Sequence, residues 1–210
     1  MKSLLKTFIL VGIVLIGFSS CKKDEDKPED TPNVVVNKNL ISKTITIDAR
    51  AYDAWVYINL ESGKVVKPTN FLDDLSWDIA FHRDNVRTNG GESGKGMGAG
   101  METEYEKLSD CKSAPESGYA TDEQMDIMTA YVMPPEYEKQ PANVELEKWG
   151  NFDITVMPPV FKLSGKVYTI KTAKGNYAKL KFHDYYNDEG ESGYIKVEYV
   201  LQTNGKTSFQ

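Results

Sequence analysis

Between residues 44 and 202 the chain reads as strand-like runs separated by Gly, Asn, Asp and Pro, and at 44–48, 177–185 and 194–202 the runs alternate apolar and polar positions with a two-residue period. Residues 44–48 (TITID) show the period of a half-buried strand. Residues 54–60 are rich in aromatic and β-branched side chains, Glu61-Ser62-Gly63-Lys64 reads as a turn, and Val65-Val66 starts another strand. Residues 77–82 (WDIAFH) predict a further buried strand. The last third is the clearest. Residues 167–171, 177–185 and 194–202 read as strands, with Lys174-Gly175-Asn176 as a turn and 187–193 as a loop. Asn204-Gly205 is expected to open a last hairpin. Only residues 121–133 are open to a helical reading, capped by Asp122 or Thr121, and Ile127 and Tyr131-Val132 fit a strand nearly as well. The pattern predicts an all-β domain with an antiparallel, meander or sandwich-like arrangement.

The N-terminus follows different rules. Lys2 and Lys6 precede an unbroken apolar and Gly run over residues 8–18, which has the length of a signal segment and is too short to span a bilayer. Ser19, Ser20 and Cys21 follow, the arrangement in which lipoprotein processing leaves a lipidated cysteine at the new N-terminus. Each buried CH₂ of the acyl chains contributes about 0.8 kcal/mol to membrane anchoring. Residues 22–39 are polar and charged and carry Pro28 and Pro32, so they cannot bury a core and are expected to form a flexible linker. The expected organisation is a signal peptide at 1–20, an acidic linker with lipidated Cys21 at 21–39, and one β domain at 40–210. Lys22-Lys23 followed by Asp24-Glu25-Asp26 resembles the export signal of surface lipoproteins in Bacteroidetes, which implies an outer-membrane, surface-exposed location.

Cysteine and charge narrow the function. If Cys21 carries lipid, Cys111 has no partner, so neither an internal disulfide nor a cysteine metal cluster is expected. The formal charge is −6, and loss of Lys2 and Lys6 with the leader makes it −8. That balance, without a Lys/Arg cluster, argues against a nucleic-acid partner.

The stretch 89–100 (NGGESGKGMGAG) fails as a phosphate loop, because Gly94-Lys95 is followed by Gly96 and the first Gly position is Asn89. It reads better as a long surface loop with several unusual backbone angles. His82 and His183 are the only histidines and read as structural or surface residues rather than a zinc pair. No nucleophile constellation is legible, so the chain is not expected to be an enzyme. Two methionines stand apart. Val132-Met133-Pro134-Pro135 and Val156-Met157-Pro158-Pro159 repeat one word. In each, a β-branched residue favours a strand end and two prolines stop the strand continuing. A thioether held at such an exit is a competent ligand for haem iron.

Residues 77–96 (WDIAFHRDNVRTNGGESGKG) resemble the hallmark of the HmuY family: a Trp-Asp strand, His-Arg, Arg-x-Asn and a Gly-Ser-Gly-Lys-Gly loop. Residues 44–55 resemble the family's opening strand, and residues 168–185 its Gly-Asn-x-Ala-Lys strand pair, so the likeness covers about 40–208. It implies an HmuY-type fold with a haem pocket between two loop fingers, each supplying one axial ligand. It implies a surface-anchored haemophore that takes haem, in part from host haem carriers, and delivers it to a TonB-dependent outer-membrane receptor. The membrane would be met through the lipid anchor only, and homo-oligomerisation is left open. The founding member uses two histidines, and this sequence has none at those positions. The expected ligands are Met133 and Met157, with Met128 as the fallback for the first. Haem iron would be the only metal. Tyr131, Tyr137, Trp149, Phe152 and Phe161 are candidates to line the porphyrin, and Lys139, Lys148 or Lys162 to meet its propionates. The alternative is a structural, adhesive or sugar-binding surface lipoprotein of the same fold.

Overall fold

The computed structural model describes residues 37–210, so the expected signal segment, Cys21 and most of the linker lie outside the described residues. Thirteen strands follow in chain order: β1 (Leu40–Asp48), β2 (Val56–Asn59), β3 (Lys64–Val66), β4 (Ile79–His82), β5 (Asn85–Thr88), β6 (Ala99–Glu102), β7 (Glu123–Ala130), β8 (Glu136–Ala142), β9 (Gly150–Asp153), β10 (Val160–Leu163), β11 (Val167–Lys171), β12 (Tyr177–Tyr186) and β13 (Ser192–Gln202). Every pairing is antiparallel. The five-stranded sheet has the order β1-β13-β12-β11-β6 and the four-stranded sheet the order β3-β2-β4-β5. Two further hairpins, β7-β8 and β9-β10, form separate two-stranded sheets.

The alternation seen in the sequence explains the layers. On β13, Ile195, Val197, Tyr199 and Leu201 are buried while Lys196 and Glu198 look outward. Ile58, Ile79, Phe81 and Val86 of the smaller sheet join the same core as Ile170, Leu180 and Phe182 of the larger one. The two sheets thus close over one apolar layer, where burying a large aliphatic or aromatic side chain contributes about 1.5–3 kcal/mol. The expected 11-12-13 meander is present, and β1 adds to its free edge along its whole length, from Leu40 opposite Gln202 to Asp48 opposite Tyr194. β1 therefore begins four residues before the alternation becomes obvious in sequence, because its long partner sets its length.

One open reading is settled in favour of its strand alternative, and two expectations are corrected. Residues 121–133 contain no helix: β7 is a strand on which Ile127 is buried and Met125 half-buried between exposed Gln124 and Asp126, paired with β8. Asp122, offered with Thr121 as a cap under the helical reading, is buried and accepts hydrogen bonds from the Thr88 amide (2.7 Å), the Thr88 hydroxyl (2.7 Å) and the Asn143 amide (2.9 Å). Its oxygens join β5 to the segment after β8, so they are not available to a helix. Asn204-Gly205 makes a turn, with Gly205 at φ 74°, but no strand follows: Ser208 forms only an isolated bridge with Ser113. Finally, the Gly-rich stretch is not an open surface loop. It wraps the buried Asn89, whose side chain donates to Asp74 O (2.8 Å) and Trp77 O (2.9 Å) and accepts from the Gly96 amide (3.2 Å). Within it only Gly91 has a positive φ. The glycines matter for close approach: a Cβ on Gly98 would lie 2.5 Å from Asn89 backbone atoms.

Candidate functional site

The apolar residues left exposed are not scattered. Of the fifteen exposed large hydrophobic side chains among the described residues, eleven fall between Tyr131 and Leu163, on the two small hairpins or beside them. The tip of the first hairpin carries Tyr131, Val132 and Met133, and that of the second carries Ile154, Val156 and Met157. Met133 is 95 % exposed and Met157 86 %, the two highest values in that set. In both tips the peptide bond between the methionine and the first proline is cis. A concentrated apolar patch of this kind on an otherwise well-packed molecule marks a surface that meets a ligand or partner.

Each hairpin is stiffened near its neck. In the first, Asp126 and Lys139 sit opposite one another across the strands and pair at 3.0 Å, and a register shift between Met128 and Ala130 re-aims the chain before the tip. In the second, Asp153 accepts from the Thr155 amide (2.9 Å) and hydroxyl (2.5 Å) and pairs with Lys162 (2.5 Å). The Lys162 ammonium, followed by the Thr155 contacts, holds the Asp153 carboxyl well below the usual carboxylate range. Lys148, the third lysine expected near propionates, is paired with Glu145 at 2.6 Å. All three lysines thus have a carboxylate partner close by in the chain or across their own hairpin.

The necks are joined to the sandwich by buried polar contacts. The Trp55 indole donates to Gln140 Oε1 of β8 at 2.7 Å, and the buried Arg87 guanidinium stacks 3.5 Å from the Trp55 ring centroid. Burial lowers the Arg87 pKa to about 10. Below the second hairpin, Glu147 accepts from the Val86 amide at 2.8 Å, and burial pushes its carboxyl well above the ordinary range.

A relay of rings links the two fingers. Tyr131 stacks on Tyr52, and the Arg83 guanidinium lies over Tyr52 at 4.7 Å and over Tyr185 at 5.7 Å. Tyr185 in turn packs against Phe152 (5.8 Å) and Phe161 (4.4 Å) of the second hairpin. No step is longer than the 6.2 Å between Tyr131 and Tyr52, so the fingers stand beside the same loop. Arg83 holds its place with φ 55°, the one non-glycine residue with positive φ among the described residues, and its guanidinium donates to Ser192 O and Ser192 Oγ.

The expected lining residues divide. Tyr131, Tyr137 and Phe152 are exposed on the hairpins. Trp149 and Phe161 are core residues instead, 1 % and 5 % exposed, so they present no free ring surface as Tyr131, Tyr137 and Phe152 do. Trp149 packs on Phe161, Phe182 and Tyr185 and donates its indole N–H to Asp84 O at 2.7 Å. They build the platform that carries the second finger. Met128 lies part-way down β7, opposite Tyr137, and is half-buried. His82 is buried, with its Nε2 donating to Tyr52 O at 2.8 Å, and His183 pairs with Glu198 at the surface at 2.9 Å. Among the described residues no group of three His, Cys, Asp or Glu side chains converges to hold a metal ion. Tyr52, Arg83 and Tyr185 were not singled out from sequence. Each carried a family-motif signal but no site signal: Arg83 follows His82 in the hallmark segment, Tyr52 opens the Tyr-x-x-Trp word at 52–55, and Tyr185 ends the strand pair at 168–185.

Fold and surface together define a β-sandwich protein with two projecting hairpin fingers whose tips expose apolar and thioether groups. The HmuY protein family matches residues 51–199, and the chain belongs to that family. Among solved structures, a protein of Bacteroides vulgatus described as HmuY-like and haem-binding is 32 % identical, with 75 % of this chain and 90 % of that one covered at a TM-score of 0.63. A Bacteroides fragilis protein described as a lipoprotein is also 32 % identical, covering 75 % and 88 % at 0.63. The apo HmuY analogue of Tannerella forsythia is 27 % identical, covering 79 % and 97 % at 0.65. No curated protein matches the chain.

Proposed function

We propose that this protein is a haem-binding carrier that grips haem between its two hairpin fingers, with Met133 and Met157 as the axial ligands. The observation that carries the reading is that the two most exposed large apolar side chains among the described residues are thioethers, one at each fingertip. The donor set suits the group: a soft sulfur on each finger, flanked by Val132, Val156 and Ile154, offers iron ligation inside apolar surroundings. Met133 is favoured over Met128 because it stands at the tip, as Met157 does, while Met128 is half-buried in the strand. Tyr131, Tyr137 and Phe152 supply exposed ring surface for the porphyrin faces. The bound haem brings its iron as the ligand-accepting centre, and the protein holds it without transforming it. The description of the Bacteroides vulgatus relative as haem-binding agrees with this.

The lipoprotein reading of Cys21, the surface location, acquisition of haem from host haem carriers and delivery to a TonB-dependent receptor belong to the same proposal. They rest on the N-terminal sequence, family membership and the relative described as a lipoprotein.

The test is titration with haem under dithionite, followed by optical spectra. The proposal expects a sharp low-spin spectrum that is lost in the Met133→Ala, Met157→Ala double variant. No spectral change on titrating the parent protein would favour the structural, adhesive or sugar-binding alternative. A spectrum unchanged in the double variant would reassign the ligands, with Met128→Ala as the next variant.

A further inference from the structure

We propose that Met133 and Met157 are also an oxidant-sensitive modification site: peroxide-class oxidants convert both to sulfoxides, spare the methionines nearer the sheets, and so switch off the grip of the fingers while the fold stays intact. The consequence for ligand binding rests on the haem reading above, and the oxidation itself does not.

Access separates the methionines. Met133 and Met157 are 95 % and 86 % exposed, whereas Met101, Met125 and Met128 are half-buried on strands. Met97 is intermediate at 63 %, and it lies against the turn at Gly175. Thioether oxidation follows exposure of the sulfur, so the two tips should react first. The two prolines that follow each tip methionine restrict the backbone and oppose its folding back on the strands.

The chemistry balances with hydrogen peroxide as the oxidant. A sulfur lone pair attacks one peroxide oxygen. The O–O bond breaks as the S–O bond forms, and the departing hydroxide takes up the proton from the transferred OH. The products are sulfoxide and water, with sulfur oxidised by two electrons and peroxide reduced by two. The new group is polar and no longer presents the soft sulfur lone pair that suits haem iron.

Neither sulfur belongs to either apolar core cluster. Oxidation at the tips therefore leaves the sandwich packing untouched, which makes the change a switch rather than damage. A thiol-dependent methionine sulfoxide reductase reverses it by restoring the thioether.

The experiment treats the full chain briefly with hydrogen peroxide, then maps the methionines by peptide mass spectrometry. Met133 and Met157 should gain oxygen several-fold faster than Met101, Met125 and Met128, with the circular dichroism spectrum and the melting temperature unchanged. Oxidation of the tips no faster than of those three, or unfolding that accompanies it, overturns the proposal. A Met133→Leu, Met157→Leu variant must keep its circular dichroism spectrum and lose the two fast oxygen additions assigned to the tips. Treated and untreated protein are then titrated with reduced haem. The response should disappear on oxidation and return after reductase treatment, and an unchanged response overturns the switch. If untreated protein gives no response, the haem reading fails, while the peptide map still decides where oxidation occurs.

Discussion

The ring of Tyr131 lies on the ring of Tyr52 with centroids 6.2 Å apart and planes within 16° of parallel. Tyr131 belongs to the tip of the first finger, and Tyr52 to the loop between β1 and β2. That loop is in turn held by the buried His82, whose Nε2 donates to Tyr52 O, and by Arg83, whose guanidinium covers the Tyr52 ring. The posture of the fingertip is therefore coupled to a rigid part of the sandwich.

Removing the stacking partner should loosen the finger without unfolding the domain. An aromatic pair contributes about 0.5–1.5 kcal/mol beyond its burial. Tyr52→Ala is expected to weaken reduced-haem binding by several-fold, up to about tenfold, with little change in melting temperature. Amide hydrogen exchange should speed up at residues 131–136 and stay unchanged in β11–β13.

Replacing sulfur with imidazole should change which iron state is favoured. Thioethers suit ferrous iron, whereas histidine serves ferric iron as well. The Met133→His, Met157→His variant is expected to bind ferric haem more tightly than the parent. Its binding should weaken as pH falls through about 6.5, where free imidazole takes up a proton. The parent's ligands do not titrate, so its binding should lack that step. Parallel titrations across pH in both iron states measure the difference.

Trp149 offers a check that it is platform and not ligand surface. It packs against Phe161, Phe182 and Tyr185 with almost no exposure. Trp149→Ala should cost about 3–5 kcal/mol of stability in urea unfolding. Trp149→Phe should keep most of that stability and leave the haem spectrum of the folded protein in place. A spectrum abolished in a well-folded Trp149→Phe protein would return Trp149 to the site.

The neck of the second finger should survive mild acid. The carboxyl of Asp153 is held far below its ordinary value of 3.8, chiefly by Lys162 and then by Thr155. A carboxyl depressed on folding stabilises the finger above the unfolded value, and that contribution is lost only as pH falls through the depressed value. Hydrogen exchange at residues 151–156, compared between the parent and Asp153→Asn, should show faster exchange in the variant at pH 5. The gap should persist near pH 4 and close in stronger acid.

His82 gives the opposite handle. Burial lowers its pKa from 6.5, so the unfolded chain binds the proton more readily than the folded one. Stability from the neutral imidazole is present above about 6.5 and declines as pH falls below it. Urea midpoints measured from pH 8 to pH 5 should fall more steeply for the parent than for His82→Gln. The comparison is needed because the carboxyls of the buried Asp122 and the half-buried Asp84 and Glu147, all raised by desolvation, act in the other direction.

Much of this molecule was legible one residue at a time. A strand with one face on a core must alternate, so β1, β12 and β13 could be read from their own residues, and β4 and β11 from β-branched and aromatic residues in unbroken buried runs. The two Val-Met-Pro-Pro words were equally local, because a proline pair ends a strand wherever it stands. β8 was not legible: Glu136–Ala142 is mostly charged or polar and contains Pro141, and it is a strand because β7 lies opposite it. Nor could sequence tell exposed Phe152 from buried Phe161, which face each other across β9 and β10, since an aromatic ring suits a core and a ligand surface equally well. Tertiary structure alone decided that Asp122 is buried between Thr88 and Asn143 rather than capping a helix, and that Arg83, Tyr52 and Tyr185 join the two fingers. Those contacts link residues dozens of positions apart, and local periodicity carries no record of which distant side chain packing will bring alongside.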